Sequence, residues 1–502
     1  MSTGKQVVSR NFAVLSIGQV ASRLLAFATT LHVAQRLLPE NFGAMVFATS
    51  VLLYAGLLVD FGFDAYGPIA TSRGLIPLRK LASTVMSYRL LLVLPAYIAL
   101  AIFAFVAPVP PLTRAMLLLY GLSLLSNALD LSWVFLGTKT MWPSVLAEGI
   151  SQTLILSLAY TFIKEPAQAL LMPLIFLGAR LCAVTFLIAV FTRSFGSIKL
   201  SLDVPLLKEL LKGALPLSGS TVMAMVSNNF DVVVVGLWLG VTGAGLYGAA
   251  SRVVLMPTMI SIAYYTALRP LLAQAYINGF ETVEPLFRRS VRVTAALAIG
   301  IGTGGVVLAE EIMRTLYGPG YSSAVASFQI LLLSFSFLLI SRNYRLLLIT
   351  FNNQTTDLKV MTAAAMINIG LNLALIHPLG ITGAAIATLT SEFFILVVDY
   401  ICTRKLIAHV PVGRYFIKPI MAATVMTVAL VLTDAWNVYA QIIIGGLIYA
   451  VAIVAMGVVS LQEIRSAIDT LFSRDQSSKP APESASAGGS VKQLTPVGRA
   501  KE

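Results

Sequence analysis

Residues 90–107 read LLLVLPAYIALAIFAFVA, eighteen consecutive positions without a charge and with one interruption, Pro95. A run of this length crosses the ~30 Å hydrocarbon core of a bilayer as a helix. Its apolar residues are continuous and do not alternate with period two, which argues against a membrane β-strand. Extended to 81–107, it is one of about 14 such segments. The others fall at roughly 12–37, 42–66, 112–138, 142–163, 167–192, 209–239, 242–268, 290–310, 325–350, 358–377, 381–403, 415–434 and 438–460.

Composition agrees. The 502 residues are 57% hydrophobic and 11% charged, where a soluble domain carries roughly 25% charged residues. So few charges cannot cover a globular surface, and the chain must face lipid over most of its length. The net charge of +13 reads as topogenic Lys and Arg in cytoplasmic loops. No basic patch is interleaved with aromatics, so nucleic acid is not expected as a partner. Cys182 and Cys402 sit in apolar stretches as small core residues, and the three histidines have no ligand spacing. No metal, no cofactor and no phosphate-binding GxxxxGK[ST] loop is expected. The first apolar run continues without a small-residue cleavage pattern and reads as a retained helix.

Orientation follows from the loops. With the N-terminus inside, the cytoplasmic side collects Lys5, Arg10, Arg73, Arg79, Lys80, Lys139, Arg193, Lys199, Lys208, Lys212, Arg288, Arg289, Arg292, Lys359, Arg404, Lys405, Arg414 and Lys418. The other side keeps Arg36, Arg114, Lys164 and Arg314. Both termini are therefore expected in the cytoplasm.

The expected fold is an all-α membrane protein with two pseudo-symmetric six-helix lobes and two further C-terminal helices. Residues 1–193 form the N-lobe, 194–206 a polar inter-lobe linker, 207–405 the C-lobe and 406–460 helices 13 and 14. Residues 461–475 repeat apolar positions at helical spacing and are expected to lie on the membrane surface. Residues 476–502 turn to Ser, Pro, Ala and Gly, a disordered tail. An internal repeat supports the two lobes. Gly43 opens the second span within NFGAMVFATS, and Gly245 opens the eighth within AGLYGAAS. Asn11 precedes the first by the same distance that Gly213 precedes the second. The lobes thus read as parallel copies about an axis along the membrane normal.

The ordered set of Asn11 with Gln19, AQRLLP (34–39) running into Phe42-Gly43, LVDFG (58–62), DLSWVFLG (130–137), NFDVVVVG (229–236), GLY (245–247) with AASR (249–252), LYG (316–318) with Tyr321, and GITGAAIA (380–387) carries a family resemblance. The chain resembles the polysaccharide (O-antigen or exopolysaccharide repeat-unit) flippases of the MATE-like multidrug/oligosaccharidyl-lipid/polysaccharide exporter superfamily over nearly all of residues 1–460. It departs at Leu38, where such proteins usually have Gly, and at Gln35, where Arg is common. The resemblance implies a V-shaped pair of lobes around a central cavity. It implies an undecaprenyl-diphosphate-linked oligosaccharide flipped from the cytoplasmic to the outer leaflet of a bacterial inner membrane by alternating access. Lipid-linked oligosaccharide, membrane lipid, a coupling ion (H+ or Na+), and a polysaccharide polymerase with its chain-length regulator are the partners it admits. A multidrug or peptidoglycan-precursor exporter of the same superfamily is the first alternative, and a membrane polysaccharide polymerase the second. A polymerase would need a long outer loop, and the longest outer segments are only about 15 residues.

Charges inside spans default to functional candidates, and a diphosphate headgroup needs cations, with Arg best suited to bidentate contact. Arg23, near the middle of the first span, reads as a cavity cation or a structural ion-pair partner. Asp231 and Arg252 lie at similar depths in neighbouring spans and are expected to meet, for structure or for coupling. Arg180 and Glu148 are expected to pair likewise, and Arg180 and Arg252 join Arg23 as candidate substrate-binding cations. Glu392 has no evident cation at its depth and reads as a proton-exchanging or a packing glutamate. Asp60, Asp64, Asp130 and Arg89 read as an inner gate or a solvated rim. Arg342 and Arg345 either greet the diphosphate or anchor their helix at headgroups.

Overall fold

The computed structural model describes the backbone of residues 2–459 except 139, 278–279, 405–412 and 434, and their side chains except 2–17, 216–228, 260, 263, 267, 270, 280 and 414. The side chain of Asn11, the residue Lys139, and the segments expected to form the surface helix and the tail lie outside those bounds. The elements are α1 (Ser2–Asp60), α2 (Phe63–Arg73), α3 (Leu78–Val106), α4 (Pro111–Gly121), α5 (Leu124–Ala128), α6 (Ser132–Gly137), α7 (Trp142–Phe162), α8 (Leu171–Phe195), α9 (Val204–Trp238), α10 (Gly240–Ile277), α11 (Phe280–Val307), α12 (Ala309–Tyr317), α13 (Val325–Thr350), α14 (Gln354–Leu379), α15 (Ile381–Arg404), α16 (Arg414–Leu432) and α17 (Val438–Ala455). The chain is an all-α membrane protein: twelve helical runs among the described residues are long and apolar enough to cross a bilayer.

The first of these runs, Gly18–Arg73, has 56 residues, about 84 Å if it were straight. That is far beyond the ~30 Å of one crossing. It breaks at Leu38, whose φ of 61° and ψ of 167° are not helical. Pro39 follows and disfavours helical geometry for the residue before it. The sequence reading left a gap between 37 and 42, and the chain crosses it with this single bent residue. The expected span 112–138 is divided into α4, α5 and α6. Ser123 Oγ and Ser126 Oγ donate to the Tyr120 and Ser123 carbonyls (2.6 and 2.7 Å), back-bonding that competes with the helical ladder. Asp130 Oδ1 then accepts from the Ser132 N–H (2.7 Å) and starts α6.

Two ends of the bundle differ. At the Leu38 end one core joins both halves of the chain: Val33, Phe42 and Phe47 pack with Val235, Tyr247 and Tyr321. Gln35 Nε2 donates to the Leu316 carbonyl (2.7 Å), and Tyr321 Oη donates to the Ala34 carbonyl (2.9 Å). At the Asp60 end the cores are separate. One gathers Phe63, Trp133, Phe191 and Leu210; the other gathers Leu268, Phe287, Leu339 and Tyr344. Leu206, Leu207 and Leu210 belong to the first of these, and Tyr66 packs on Gly213. The opening turns of α9, which the sequence reading assigned to the second lobe, thus rest on the first half. Lys80 Nζ fastens them by an ion pair with Asp203 Oδ2 (2.6 Å), the residue that caps α9 through the Leu206 N–H.

Candidate functional site

Two cavities flank α1. The polar one, 490 Å³, is lined by Ala26, Thr29, Thr30 and Val33 of α1, by Asp60 and Asp64, and by Asp130, Gln152, Arg180 and Arg252. The apolar one, 770 Å³, is lined by Val20, Leu24 and Phe27 of α1 and by residues of α10, α11, α13, α16 and α17, among them Met256, Leu297, Leu332, Met426 and Ile442. Helical periodicity makes this possible, because positions 20, 24 and 27 form one stripe and 26, 29, 30 and 33 another.

The polar cavity holds two guanidinium groups in different circumstances. Arg180 meets Asp130 Oδ2 and Glu148 Oε2, each at 3.3 Å, and Gln152 Nε2 donates to the other Glu148 oxygen (2.8 Å). The sequence alone proposed Glu148 as a partner; Asp130 is a second one, which it had placed with the gate. Arg252 has no carboxylate partner among the described residues. Its Nη1 donates to Thr30 Oγ1 (3.0 Å), and its guanidinium carbon stands 5.8 Å from the centre of the Phe42 ring. Tyr120 and Tyr317 are its electrostatic neighbours.

The expected Asp231–Arg252 ion pair does not form. Asp231 Oδ2 accepts from the Tyr247 hydroxyl, and its Oδ1 accepts from the Val232 N–H (2.8 Å). Tyr247 Oη also lies 3.5 Å from Thr388 Oγ1, so Asp231 ties α9 to α10 and α15. The physical reason is helical phase. Tyr247 and Arg252 are five residues apart, about 140° around α10, so Tyr247 faces α9 while Arg252 faces α1.

Arg23 is exposed and lines neither cavity. It shares the stripe of Thr30, seven residues on, within about 20° and about 10 Å toward the N-terminus of α1. Asp60, Asp64 and Arg89 form one network. Arg89, 1% exposed, donates through Nη2 to Asp60 Oδ1 and to Asp64 Oδ1, the latter at 2.8 Å. Its Nη1 reaches the Asp130 carbonyl at 3.4 Å. Asp60 also accepts from the Gly62 and Asp64 N–H groups, both at 3.0 Å. That holds the break between α1 and α2, where the positive φ of Gly62 (86°) suits glycine.

Glu392 is not isolated, as the sequence suggested; Arg342 and Arg345 are its electrostatic neighbours. Arg342 Nη1 donates to Ser261 Oγ (2.9 Å), and Arg345 is held by Asp357 (Nε–Oδ1 2.7 Å, Nη2–Oδ2 3.3 Å). Neither is a simple headgroup anchor. Sequence reasoning missed Thr30, Tyr120 and Gln152 in the polar cavity, and also Asp399, fully buried on α15. The only available signal for the first three was the helical stripe each shares with a charged or small residue.

A many-span helical bundle with a polar cavity lined by three acids and two arginines, beside an apolar cavity, has the form of a membrane transporter. Residues 8–276 match the sequence profile of the family described as polysaccharide biosynthesis protein, more than half of the chain, and the chain belongs to that family. The putative O-antigen transporter of Escherichia coli (strain K12) is 23% identical over 423 residues, 81% of this chain and 100% of that one. The succinoglycan biosynthesis transport protein ExoT of Rhizobium meliloti (strain 1021) is 25% identical over 331 residues, 64% of each. Among solved structures, lipid II flippase MurJ in an inward closed conformation superposes with a TM-score of 0.72 at 17% identity. The match covers 90% of this chain and 99% of that one. A MATE-family multidrug transporter of the MOP superfamily, inward-facing, gives 0.63 at 14% identity, covering 81% of this chain and 98% of that one. At these identities the two structures speak for the fold. These curated relatives are named as transporters and not as enzymes.

Proposed function

We propose that this protein flips an undecaprenyl-diphosphate-linked oligosaccharide from the cytoplasmic to the outer leaflet of a bacterial inner membrane, for cell-surface polysaccharide synthesis. The observation that carries the reading is the pair of cavities on opposite stripes of α1: one with Arg252 paired to no carboxylate among the described residues, the other almost wholly apolar. The chemistry they complement is an amphiphile with an anionic head and a long hydrocarbon tail. Buried cations select phosphate oxygens by charge-assisted hydrogen bonds, and apolar lining favours the isoprenoid by about 0.8 kcal/mol per buried methylene. A drug exporter for cations would leave an unpaired carboxylate in the cavity; here the acids that line it, Asp60, Asp64 and Asp130, face arginines.

Positive-inside topology puts the Asp60 end in the cytoplasm and the Leu38 end outside. The chain then forms fourteen crossings in two lobes, and the joined core at the Leu38 end is the closed outer gate of an alternating-access cycle. Arg23 guides the diphosphate from the cytoplasmic entrance toward Arg252, Arg180 with Glu148 and Asp130 shapes the cavity wall, and Arg89 with Asp60 and Asp64 braces the inner gate. Glu392 and Asp231 belong to the coupling half.

The test is genetic. Deletion of the gene is expected to abolish polysaccharide at the cell surface and to accumulate lipid-linked precursor, with rescue by the wild type and not by Arg252→Ala at equal membrane abundance. Unchanged surface polysaccharide in the deletion strain overturns the reading.

A further inference from the structure

The second half contains a charge imbalance that the cavity chemistry does not use. On α13, Arg342 and Arg345 lie one turn apart. Facing them are Asp357 of α14 and, two turns apart on one stripe of α15, Glu392 and Asp399. Three acids stand against two bases. Arg345 is held at both nitrogens by Asp357, and Arg342 leans on Ser261 beside Glu392. Asp399 is left over. It is 0% exposed, and neither of its carboxylate oxygens has a hydrogen-bond partner among the described residues. Its neighbour Thr403 donates to the Asp399 backbone carbonyl and not to its side chain.

A carboxylate in that position cannot remain an isolated anion; desolvation of an unpaired charge costs far more than a helix bundle recovers elsewhere. Something of charge +1 must neutralise it. A metal cation needs several oxygen ligands, and Asp399 belongs to no group of three or more acidic, His or Cys ligands among the described residues, so a metal there would depend on neutral oxygens. A proton needs only the carboxylate itself. Other charged or titratable groups also border α15. Asp231 of α9 and Tyr247 of α10 meet it at Thr388, eleven residues away. Tyr344 of α13 meets Tyr400 edge to face, with ring centroids 5.8 Å apart. Arg404 lies five residues further along α15, toward the Asp60 end.

We propose that Asp399 is a proton-binding site of the transport cycle. One proton from water on one side of the membrane bonds to a carboxylate oxygen and takes the group from −1 to 0. In the alternate conformation Arg345 leaves Asp357 for Asp399, and the proton passes to water on the other side. Arg345 is the exchanging partner because it is the arginine among the electrostatic neighbours of Asp399 and is now engaged by another acid. The coupling role rests on the flippase reading; the proton-binding role does not.

The experiment uses the full-length protein in lipid vesicles and infrared difference spectroscopy at neutral pH, with buffer protons as the probe. Expected is the carbonyl stretch of a protonated, weakly hydrogen-bonded carboxylic acid, absent in Asp399→Asn and retained in Glu392→Gln. Asparagine is shaped like the neutral acid, so Asp399→Asn should reach wild-type membrane abundance and thermal stability. In cells that variant should lose at least tenfold in surface polysaccharide. A spectrum without the band, a band that survives in Asp399→Asn, or an Asp399→Asn protein that fails to fold overturns the proton site. A band lost as expected, with polysaccharide export unchanged in the variant, overturns the coupling role. Failure of the flippase reading would show separately, as a deletion strain with normal polysaccharide whatever the spectrum.

Discussion

Gly43 and Gly245 touch backbone to backbone, although 202 residues separate them. A Cβ on Gly43 would stand 1.8 Å from the Val241 carbonyl oxygen, and one on Gly245 would stand 2.2 Å from that of Pro39 and 3.0 Å from the Gly43 Cα. The same offset relates Val46 to Gly248, and these also meet: a Cβ on Gly248 would lie 2.7 Å from Val46 Cγ1. Residues equivalent in two copies touch each other only near the axis that relates the copies. The internal repeat read from the sequence offset would put this joint near its axis, at the Leu38 end, where a Cβ has no room.

A methyl group at that joint should weaken it. Overpacking costs about 1–3 kcal/mol, and about 1.4 kcal/mol is tenfold in a population. Gly245→Ala is expected to open the Leu38 end. With Ala34→Cys, buried in this state, as reporter in a cysteine-free background, labelling by a membrane-impermeant maleimide should rise roughly tenfold. Unchanged labelling would show that the contact does not gate.

Leu38 adopts φ 61° and ψ 167°, a region held almost exclusively by glycine, at a cost on the order of 1–3 kcal/mol for another residue. Its side chain is 55% exposed, so little packing would be lost with it. Leu38→Gly is expected to stabilise the purified protein by about 1 kcal/mol after glycine's own entropy of roughly 0.5–1 kcal/mol is subtracted. Leu38→Ala retains the strain and should not. A melting temperature lowered by glycine would contradict this.

The two cavity arginines should separate. Arg180→Ala strands Asp130 and Glu148 and is expected to destabilise the fold by about 1–3 kcal/mol, with partial recovery in Arg180→Ala/Glu148→Gln. Arg252→Ala strands only the Thr30 hydroxyl, so abundance should hold while export falls about ten- to hundredfold, the worth of a charged hydrogen bond. Arg23→Ala, at the entrance, should cost less than Arg252→Ala. Quantitative blots and surface polysaccharide check all four variants.

A charge swap tests the partner of Asp231. Because Tyr247 holds that carboxylate, Asp231→Arg/Arg252→Asp should recover nothing beyond the single variants, and Tyr247→Phe should lower folded protein. Recovery in the swap would restore the ion pair that helical phase excludes.

The linker tie should respond to acid and salt. Hydrogen bonds from Lys80 and from the Leu206 N–H hold the half-buried Asp203 carboxyl below its usual range. Its contribution is therefore complete above the ordinary value of about 4 and is lost as pH falls through the lower folded value. Protease cleavage between Phe195 and Val204 should be slower in wild type than in Lys80→Met at neutral pH. The difference should vanish in high salt, as surface pairs do.

Much of this was legible in the sequence. Uncharged runs such as 90–107 announce crossings because lipid offers no partner to a backbone or a charge. The Gly43–Gly245 equivalence is visible as an offset, although that the two would touch is not. Rotation about helix axes was the harder part. Depth counting brought Asp231 and Arg252 together, whereas phase around α10 sends Tyr247 to Asp231. Asp399 escaped notice because an acid near the end of a span resembles one at the headgroups. Its burial depends on α13 and α14 closing over it, a tertiary fact.

The most direct measurement of the central claim places undecaprenyl-diphosphate oligosaccharide with a labelled terminal sugar in the outer leaflet of vesicles containing the purified protein. The fraction exposed to a membrane-impermeant glycosidase is then followed in time. Wild-type vesicles should sequester label from the enzyme far faster than protein-free vesicles, and Arg252→Ala vesicles should match the protein-free rate. Equal rates with and without the wild-type protein would contradict the account.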